Sequence, residues 1–386
     1  MKKTWVSIPD VLFFQEGPGV RNTQYTAGGI KLLNVANLVD GKIDLSTSDR
    51  YISEEEAYGR YRHFLCDEGD FIVASSGIKV EYIDKKMGFV EKSMLPLCMN
   101  TSTIRFKVLN QNQLRIRYFM YYLKSNHFKK QLARQITGSA QLNYGPSHLK
   151  KMVVPLVDIS VQDEIVSKMD AIQHIIDLRN SQLMHLDDLV KARFVEMFGD
   201  RYVNDKNWNT TKLGNSISFN NGKAHEQIVD ENGEYILVTS RAIASNFKDV
   251  RRTNELLSPL RKDDIVMVMS DVPNGRALAK CQLIKDNNKY TLNQRICSFD
   301  NYNYNPVFLL FLLSRHPYFL SFNDGNGQTN LRKNDILDCE LIDPPIELQE
   351  QFADFVSQVD KSKVAVQKSL DEAQLLFDSL MQQYFG

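Results

Sequence analysis

Residues Ile159–Phe198 read ISVQDEIVSKMDAIQHIIDLRNSQLMHLDDLVKARFVEMF. Neither Pro nor Gly interrupts this segment, and from Ile165 its apolar residues recur at alternating steps of four and three. A period of 3.5 residues is typical of a helix that pairs with another helix along a coiled-coil seam. The segment therefore predicts one long helix, about 60 Å from end to end at 1.5 Å per residue.

The same pattern occurs again 187 residues further along the chain, and the two copies align without a gap. We infer from this an internal duplication. The residues that are identical in register are Gly138 and Gly325, Gln141 and Gln328, Asn143 and Asn330, Ile159 and Ile346, Gln162 and Gln349, Leu183 and Leu370, Leu189 and Leu376, Phe198 and Phe385, and Gly199 and Gly386.

A single helix of this length would expose its apolar stripe, so we expect the two copies to pair side by side and antiparallel. Arg179, Arg193 and Lys363 interrupt the stripe. They either fix the register of the pair or extend their charged ends to its edge, and both interpretations stay open. The predicted pairing residues are Ile165, Met169, Ile172, Ile176, Leu183, Leu186, Val190, Phe352, Val356, Val359, Val366, Leu370, Phe377 and Leu380.

The segments before the two helices share one order of elements. Strand-like runs at Ile30–Val35 and Asp70–Ala74, then an aromatic helix at Tyr118–Ser125, are matched later by Tyr235–Thr239, Asp264–Met269 and Pro306–Ser314. The first copy is about sixteen residues longer, which we place in loops. We predict two mixed α/β (α+β) domains joined by two long antiparallel coiled-coil helices in a pseudo-twofold, quasi-circular chain. The predicted segments are 1–150, 151–200, 201–337 and 338–386.

Composition narrows the class of protein. The chain has 386 residues, and its 47 basic and 47 acidic residues give a net charge of zero. A protein that binds many phosphates unaided is usually basic, so any nucleic-acid ligand would need local basic clusters or a partner. Five cysteines without metal-like spacing indicate a reducing cytoplasm and neither disulfides nor a zinc site. The start has no apolar signal segment, and no apolar run is long enough for a membrane span.

Two diverged domains alternating with two repeated helices resemble the specificity subunit of type I restriction-modification systems, over the whole chain. The motifs that carry the resemblance are Gln162–Ile165 (QDEI) and Gln349–Phe352 (QEQF), each shortly after a strand end with proline, at Val153–Pro155 and Ile342–Pro344. The segments GSAQ at 138–141 and GNGQ at 325–328 are also typical.

The resemblance implies a subunit without catalytic, cofactor or metal residues that acts in DNA methylation and phage defence. Each domain would be a target-recognition domain that reads one half of a split double-stranded DNA sequence. The helices would act as a spacer and as the docking site for two methyltransferase subunits. Those partners would hold S-adenosylmethionine and methylate adenine at N6, and a restriction and motor subunit can join them.

Candidate DNA contacts follow from side-chain chemistry. Arg21, Asn22 and Gln24 lie in a Gly- and Pro-containing loop, and Arg reads guanine while Asn and Gln read adenine. Lys223 and His225 stand at a comparable place in the second copy. The other candidates are Lys79 and Arg276, in loops after strands, and Arg134, Gln141, Gln328, Arg332 and Lys333, in basic or amide-rich segments. Ordinary surface turns contain the same residue types.

Three other functions remain open. A methyltransferase or nuclease is one, because Asp343–Ile346 (DPPI) is similar to the catalytic loop of amino-methyltransferases. Ile replaces the aromatic residue of that loop and no Gly-rich cofactor loop precedes it, so we expect a plain connection from a strand to a helix. The others are a coiled-coil scaffold that binds proteins and a specificity subunit for a fused methyltransferase-nuclease.

Overall fold

The structure, a computed structural model, describes residues 3–136, 142–200, 203–225, 228–273 and 275–386. It forms two compact units, Met1–Arg179 with Ser369–Gly386 and Asn180–Lys368. Two 40-residue helices, Ile159–Phe198 and Ile346–Phe385, each contribute residues to both units. The prediction of two long repeated helices is therefore confirmed.

The first unit contains a globular part, called here the first domain. Its strands are β1 Thr4–Ser7, β2 Leu12–Glu16, β3 Ile30–Leu33, β4 Leu38–Val39, β5 Lys42–Ile43, β6 Tyr51–Ile52, β7 Phe71–Ala74, β8 Ser76–Ile78, β9 Met87–Phe89, β10 Leu97–Met99, β11 Thr103–Val108, β12 Leu142–Asn143 and β13 Val153–Leu156. Its helices are α1 Ile8–Val11, α2 Glu54–Tyr58, α3 Ile116–Lys124, α4 Asn126–Gln135 and α5 Pro146–Leu149, and the long helix Ile159–Phe198 is α6. Short 3-10 helices lie at Asn22–Gln24, Val35–Asn37, Leu45–Thr47, Arg62–Phe64, Val80–Lys85 and Lys92–Met94.

The second unit contains the second domain. Its strands are β14 Thr210–Lys212, β15 Ser218–Asn221, β16 Tyr235–Val238, β17 Arg251–Thr253, β18 Ile265–Val268, β19 Ser270–Asp271, β20 Cys281–Leu283, β21 Tyr290–Leu292, β22 Ile296–Asp300, β23 Thr329–Asn330 and β24 Glu340–Ile342. Its helices are α7 Ser240–Ala244, α8 Pro306–Leu313, α9 Pro317–Leu320 and α10 Lys333–Leu337, with a 3-10 helix at Leu213–Asn215, and the long helix Ile346–Phe385 is α11.

The two domains have the same sheets. An antiparallel sheet in the order β2-β11-β7-β9 matches β15-β22-β18-β20, and the mixed sheet β10-β3-β6 matches β21-β16-β17. In each mixed sheet one pair is parallel, β10 with β3 and β21 with β16. The strand pairs β1-β13 and β8-β12 match β14-β24 and β19-β23. The duplication therefore includes the globular parts, although their sequences have diverged.

Extra elements of the first domain lie in connections between these shared strands. The hairpin β4-β5 follows β3, and α2 lies between β6 and β7. In the second domain α7 and a shorter connection occupy these two places. The additional residues thus lie in connections between shared strands, but they form a hairpin and a helix there, whereas the sequence-based expectation was of loops.

The aromatic helix of each domain lies between its sheet and the long helices. In the first unit Phe119 of α3 contacts Phe106 of the sheet, with ring centroids 5.2 Å apart, and Tyr118 contacts Phe385 of α11 at 5.1 Å. In the second unit Phe308 of α8 contacts Phe198 of α6 at 4.7 Å. Burying such large side chains on two sides supplies much of the hydrophobic stabilisation of each unit.

Within the first unit α6 and α11 run in opposite directions. The backbone amide of Arg115, just before α3, donates to Gln162 of α6, and the side chain of Arg117 in α3 binds Asp170 of α6. Residue numbers therefore rise in the same direction along α3 and α6. Over the same helix, Tyr118 meets Phe385 and Tyr121 meets the earlier residue Phe377. The numbering of α11 therefore falls while that of α6 rises, as antiparallel pairing requires.

The second unit shows the same direction at the other ends of the helices. Phe194 of α6 contacts Phe352 of α11 at 5.4 Å, and the earlier residue Asp187 binds the later residue Lys363 at 2.7 Å. Lys363 thus makes an ion pair across the seam, as a residue that fixes the register would. It also remains partly exposed, as a side chain that extends its charge to the edge of the pair would. Arg193 instead binds Glu196 of its own helix, at 2.7 Å, and lies over the ring of Phe355.

The predicted pairing residues differ in burial. Leu183, Leu186, Leu370 and Leu380 are only half-buried, and of these Leu186, Leu370 and Leu380 pack against the cores. The other ten are buried, namely Ile165, Met169, Ile172, Ile176, Val190, Phe352, Val356, Val359, Val366 and Phe377.

Candidate nucleic-acid interface

Loops of the second domain form a polar cleft of about 430 Å³, called here the second-domain cleft. It is lined by Thr239, Ser240, Arg241, Arg251, Ser270, Asp271, Val272, Asn293, Gln294, Arg295, Ile296 and Gln328. These residues follow β16, β18 and β21, begin β17 and precede β23, so sheet connections from distant parts of the sequence meet there. The sequence-based candidate Gln328 lies here, with its amide nitrogen 2.6 Å from the Ser270 hydroxyl.

The turn between β21 and β22 holds the side chains at this cleft in place. The backbone carbonyl of Arg295 accepts a hydrogen bond from Met269, and the amide of Gln294 donates one to the carbonyl of Lys223 at 2.9 Å. Gly222 lies so close below the turn that a Cβ on it would meet the Asn293 carbonyl oxygen at 1.9 Å. Only glycine fits at this position, and the exposed candidate Lys223 follows it beside the cleft.

Arg295 has an unusual backbone conformation. Its φ of 67° lies in the left-handed region, which residues other than glycine, asparagine and aspartate rarely adopt. Its side chain is exposed and forms no hydrogen bond or ion pair with any residue that the structure describes. The neighbouring Asn293 has a buried side-chain oxygen that likewise lacks a partner among the described residues. The cleft therefore presents an exposed donor group, and its lining contains a buried acceptor atom, and the described residues supply no partner for either.

The first domain builds the corresponding turn from different side chains. Ser102 has φ 69°, and its carbonyl accepts from Ser75 as that of Arg295 accepts from Met269. A Cβ on Gly17 would meet the Asn100 carbonyl at 2.0 Å, as one on Gly222 would meet Asn293. Here, however, the Asn100 amide donates to Asn34 at 2.7 Å, which leaves the turn internally bonded.

One cation has the same place in both domains. In the second domain Arg251 of β17 lies opposite Leu237 of β16. In the first domain Arg50 lies opposite Leu32 of the matching strand β3, since the carbonyl of Arg50 accepts a hydrogen bond from the amide of Leu32. Both arginines are exposed. Arg50 lies over the ring of Tyr25, 5.3 Å from its centre, whereas Arg251 lines the second-domain cleft. A positive charge at this position is thus a shared feature of the two domains.

Three lysines line a separate opening in the first domain, called here the basic cleft. Lys79, Lys85 and Lys86 line an opening of about 630 Å³ together with Tyr82 and Asp40. Lys79 is exposed, and the ammonium nitrogen of Lys85 lies 5.8 Å from the centre of the Tyr82 ring. Three lysine side chains at one opening, with one aspartate, suit a contact with a phosphate group.

The loop that contains Arg21, Asn22 and Gln24 presents only part of its predicted set. Arg21 and Asn22 are exposed. Gln24 does not project, because its amide nitrogen binds Glu56 at 2.7 Å and the hydroxyl of Tyr61 at 3.0 Å. Its side-chain oxygen caps the loop at the amide of Arg21. The expectation for Gln24 is corrected: it fixes the loop.

His225 also differs from the expectation. The residue is 1% exposed, and one ring nitrogen lies 3.0 Å from the Thr291 hydroxyl while the other lies 2.7 Å from the Lys223 carbonyl. A contact between this ring and DNA would require the side chain to leave the core. Burial of His225 therefore contradicts its assignment as a DNA contact and gives it a structural role.

The other described candidates are exposed cations that line neither of these two clefts, namely Arg134, Arg276, Arg332 and Lys333. Arg134 and Arg276 are at the surface, and Arg332 is the N-cap residue just before α10. Lys333 lies over the ring of Phe219 at 5.4 Å. Gln141 lies outside the described residues, so its prediction stays untested. Sequence reasoning missed Arg295, Gln294 and Asn293, although the polar triplet between two apolar strands is a signal that could have found them.

The segment Asp343–Ile346 is a connection between β24 and α11, as expected. The carbonyl groups of its two prolines accept hydrogen bonds from the first turn of α11: Pro344 from the side-chain amide of Gln349, and Pro345 from the backbone amide of Leu348.

All five cysteines are buried and unpaired, and burial raises the pKa of Cys66, Cys98 and Cys339 to about 12. Within the described ranges, no group of His, Cys, Asp and Glu is arranged to hold a metal ion. None of the helices described is long and apolar enough to cross a bilayer.

Comparisons with known proteins agree with this architecture. A family model described as the type I restriction modification DNA specificity domain matches residues 21–186 and again residues 205–373. The chain thus belongs to the family of type I restriction-modification DNA specificity subunits, with two target-recognition domains.

Individual relatives are distant. The type I restriction enzyme MjaVIII specificity subunit of Methanocaldococcus jannaschii is 21% identical over 190 residues, which cover 48% of this chain and 43% of that protein. The chain therefore matches less than half the length of this curated relative. The S subunit of a type I restriction-modification system from M. genitalium superimposes with a TM-score of 0.54 at 15% identity, over 100% of this chain and 96% of the other. A chain from a study of assembly and conformational transition of the type I R-M system gives 0.57 at 14%, over 99% and 97%.

Proposed function

We propose that this chain is the non-catalytic subunit that gives a type I restriction-modification complex its DNA sequence specificity. Each domain reads one half of a bipartite double-stranded target. The observation that carries the proposal is the contrast between shared sheets and different loop residues. Both domains have the same sheets and the same turn, but the left-handed position of that turn holds the half-buried Ser102 in one domain and the exposed Arg295 in the other. Equal frames with unequal exposed side chains suit two readers of different sequences.

The partners in this proposal are two methyltransferase subunits that dock on the long helices. Among the exposed large apolar residues of α6 and α11, Leu189 and Leu376 recur at the 187-residue shift, with 47% and 51% of their surface exposed. Neither leucine is buried within its own unit. Retaining one exposed leucine at two equivalent positions suits two copies of one partner, each meeting an equivalent surface.

Catalysis is assigned to these partners. They would supply S-adenosylmethionine and methylate the N6 atom of an adenine in each half-site, after the base has left the stack. A restriction and motor subunit, separate or fused to the methyltransferase, would join the same complex. Because the net charge of this chain is zero, we assign much of the contact with phosphates to the partners. The complex would act in the cytoplasm, where the chromosome and invading DNA are found.

The test is to sequence adenine methylation across the genome of the host with and without this chain, while the methyltransferase is expressed in both. We expect one split motif with a methylated adenine in each half, and we expect it to disappear when the chain is deleted. Methylation that persists without the chain, or a single continuous motif, would contradict the proposal.

A further inference from the structure

We propose that Arg295 reads a guanine in the half-site of the second domain and is the residue that sets the specificity of one base pair there. The inference rests on the proposed function and adds to it the identity of a reading residue and of its base. Arginine donates two parallel hydrogen bonds that match the O6 and N7 atoms of guanine in the major groove. Three observations point to Arg295 among the exposed cations of this domain.

The first observation is that the residue at this position differs between the two domains. Phosphates are present at every half-site, so a residue that binds phosphate can be the same in both copies, as Arg50 and Arg251 are. A residue that reads a base must differ when the two half-sites differ. Ser102 and Arg295 occupy equivalent left-handed positions on equivalent turns and have entirely different hydrogen-bonding groups.

The second observation is the rigid backbone under the side chain. Arg295 is held at φ 67° although it is neither glycine nor asparagine. The hydrogen bond from Met269 to its carbonyl and the bond from Gln294 to Lys223 fix the turn on both sides. A side chain on such a turn starts from one defined position, so little freedom is lost when it binds a base edge.

The third observation is that the guanidinium group of Arg295 has no partner among the residues that the structure describes. Among the described residues that line the second-domain cleft, Asp271 has the one carboxylate. It already accepts hydrogen bonds from the backbone amides of Val272, Ala277 and Leu278 in its own loop. Arg105 shows the contrast, because its guanidinium binds Asp70, Gln15 and two backbone carbonyls. Arg295 is therefore free to bind a ligand, and Gln328 presents a second polar group to the same cleft.

The test uses the complete complex and genome-wide methylation as the readout. Arg295→Ser is expected to fold, because Ser102 occupies the equivalent left-handed position in the first domain. We expect one guanine of the motif to become replaceable, with methylation at substituted sites rising roughly ten- to a hundredfold relative to intact sites. Every other position, including the whole first half-site, should stay unchanged. Arg295→Lys keeps the charge without the paired donors and should relax the same position.

Control variants separate reading from general binding. Arg251→Ala should lower methylation at all sites alike and leave the motif unchanged, as expected for a phosphate contact. Arg261→Ala, an exposed arginine outside the cleft, should have no effect. The inference is overturned if both Arg295 variants keep the full motif, or if they lower methylation uniformly as Arg251→Ala does. Failure of the proposed function is a different result, because the wild-type chain would then direct no bipartite motif at all.

Discussion

The side-chain oxygen of Gln162 accepts a hydrogen bond from the backbone amide of Arg115 at 2.9 Å. Its amide nitrogen donates to the carbonyls of Gln113 and Val157 at 2.9 Å, so this buried group ties the start of α6 to the start of α3. Gln349 makes the equivalent bonds to Asn305 and Pro344. The glutamine is thus retained in both copies for a structural reason, as the joint between a long helix and a domain.

Replacing this glutamine should destabilise the second unit. We expect Gln349→Ala to lower the free energy of unfolding by about 1–3 kcal/mol, because two buried backbone groups lose their partner. Gln358→Ala, at an exposed position of the same helix, should change it by less than about 0.5 kcal/mol. Chemical denaturation of both variants checks this, and equal midpoints would show that the joint contributes no stability.

Asp70 and Asp264 occupy equivalent positions in the two domains, but Asp70 faces two cations and Asp264 faces another carboxylate. Asp70 lies 3.1 Å from both Arg105 and Lys107, and its side chain is 2% exposed. In the second domain Ser298 and Asp300 occupy the places of these two cations in the sheet. Burial raises the pKa of Asp264, and the nearby carboxylate of Asp300 adds to this.

Substitution by asparagine should therefore have opposite effects. Asp70→Asn leaves Arg105 buried without its carboxylate and should cost about 3–5 kcal/mol. Asp264→Asn should raise Tm at neutral pH, because asparagine still accepts the bond from the Arg261 amide and cannot ionise. Since the folded-state pKa of Asp264 is raised, the penalty is absent below the ordinary aspartate pKa and complete above the raised one. The gain in Tm should thus disappear as the pH falls through this window, and a gain that is independent of pH would contradict this cause.

The basic cleft of the first domain should affect affinity without affecting specificity. Removing the ammonium group in Lys79→Ala should weaken binding of target and non-target DNA alike. The slope of log K against log salt should fall by about 0.9 for one lost phosphate contact. Lys92→Ala removes an exposed lysine of the same domain outside the cleft and should keep the slope. Titrations of the complex at several salt concentrations measure both, and an unchanged slope for Lys79→Ala would remove the cleft from the interface.

Exposed leucines on the long helices give a test of partner docking. Leu189→Asp and Leu376→Asp should each reduce the number of methyltransferase subunits bound per chain, because each places a charge in an apolar contact. Met184→Asp is the matched control: Met184 is 66% exposed on α6, but its counterpart in the second copy is Asp371. Mass measurement of the assembled complex counts the subunits. Full assembly with both leucines replaced would contradict docking at these positions.

The frame of this protein could be predicted from sequence because it depends on repetition. The heptad pattern after Ile165 and its copy after Phe352 have the period that antiparallel seams require, and the structure buries most of those side chains. Matching strands such as Ile30–Leu33 and Tyr235–Val238 were also visible as apolar runs between turn residues.

The reading surface was predicted only in part, because its contacts join residues that are far apart in sequence. Gln24 is bound by Glu56, and His225 by Thr291, and no local pattern indicates either pair. Equivalence of Ser102 and Arg295 became visible only when the register of both sheets was known. Polar residues in such loops can therefore either be bonded within the protein or be exposed to a ligand, and only the tertiary contacts distinguish these two cases.

The most direct test of two independent readers on one frame is a chimera in which the segment for the second domain is replaced by a copy of the first. Genome-wide adenine methylation directed by this chain should then show a motif with the same half-site on both sides of its spacer. A motif that keeps two different halves, or that keeps the original second half, would contradict the account.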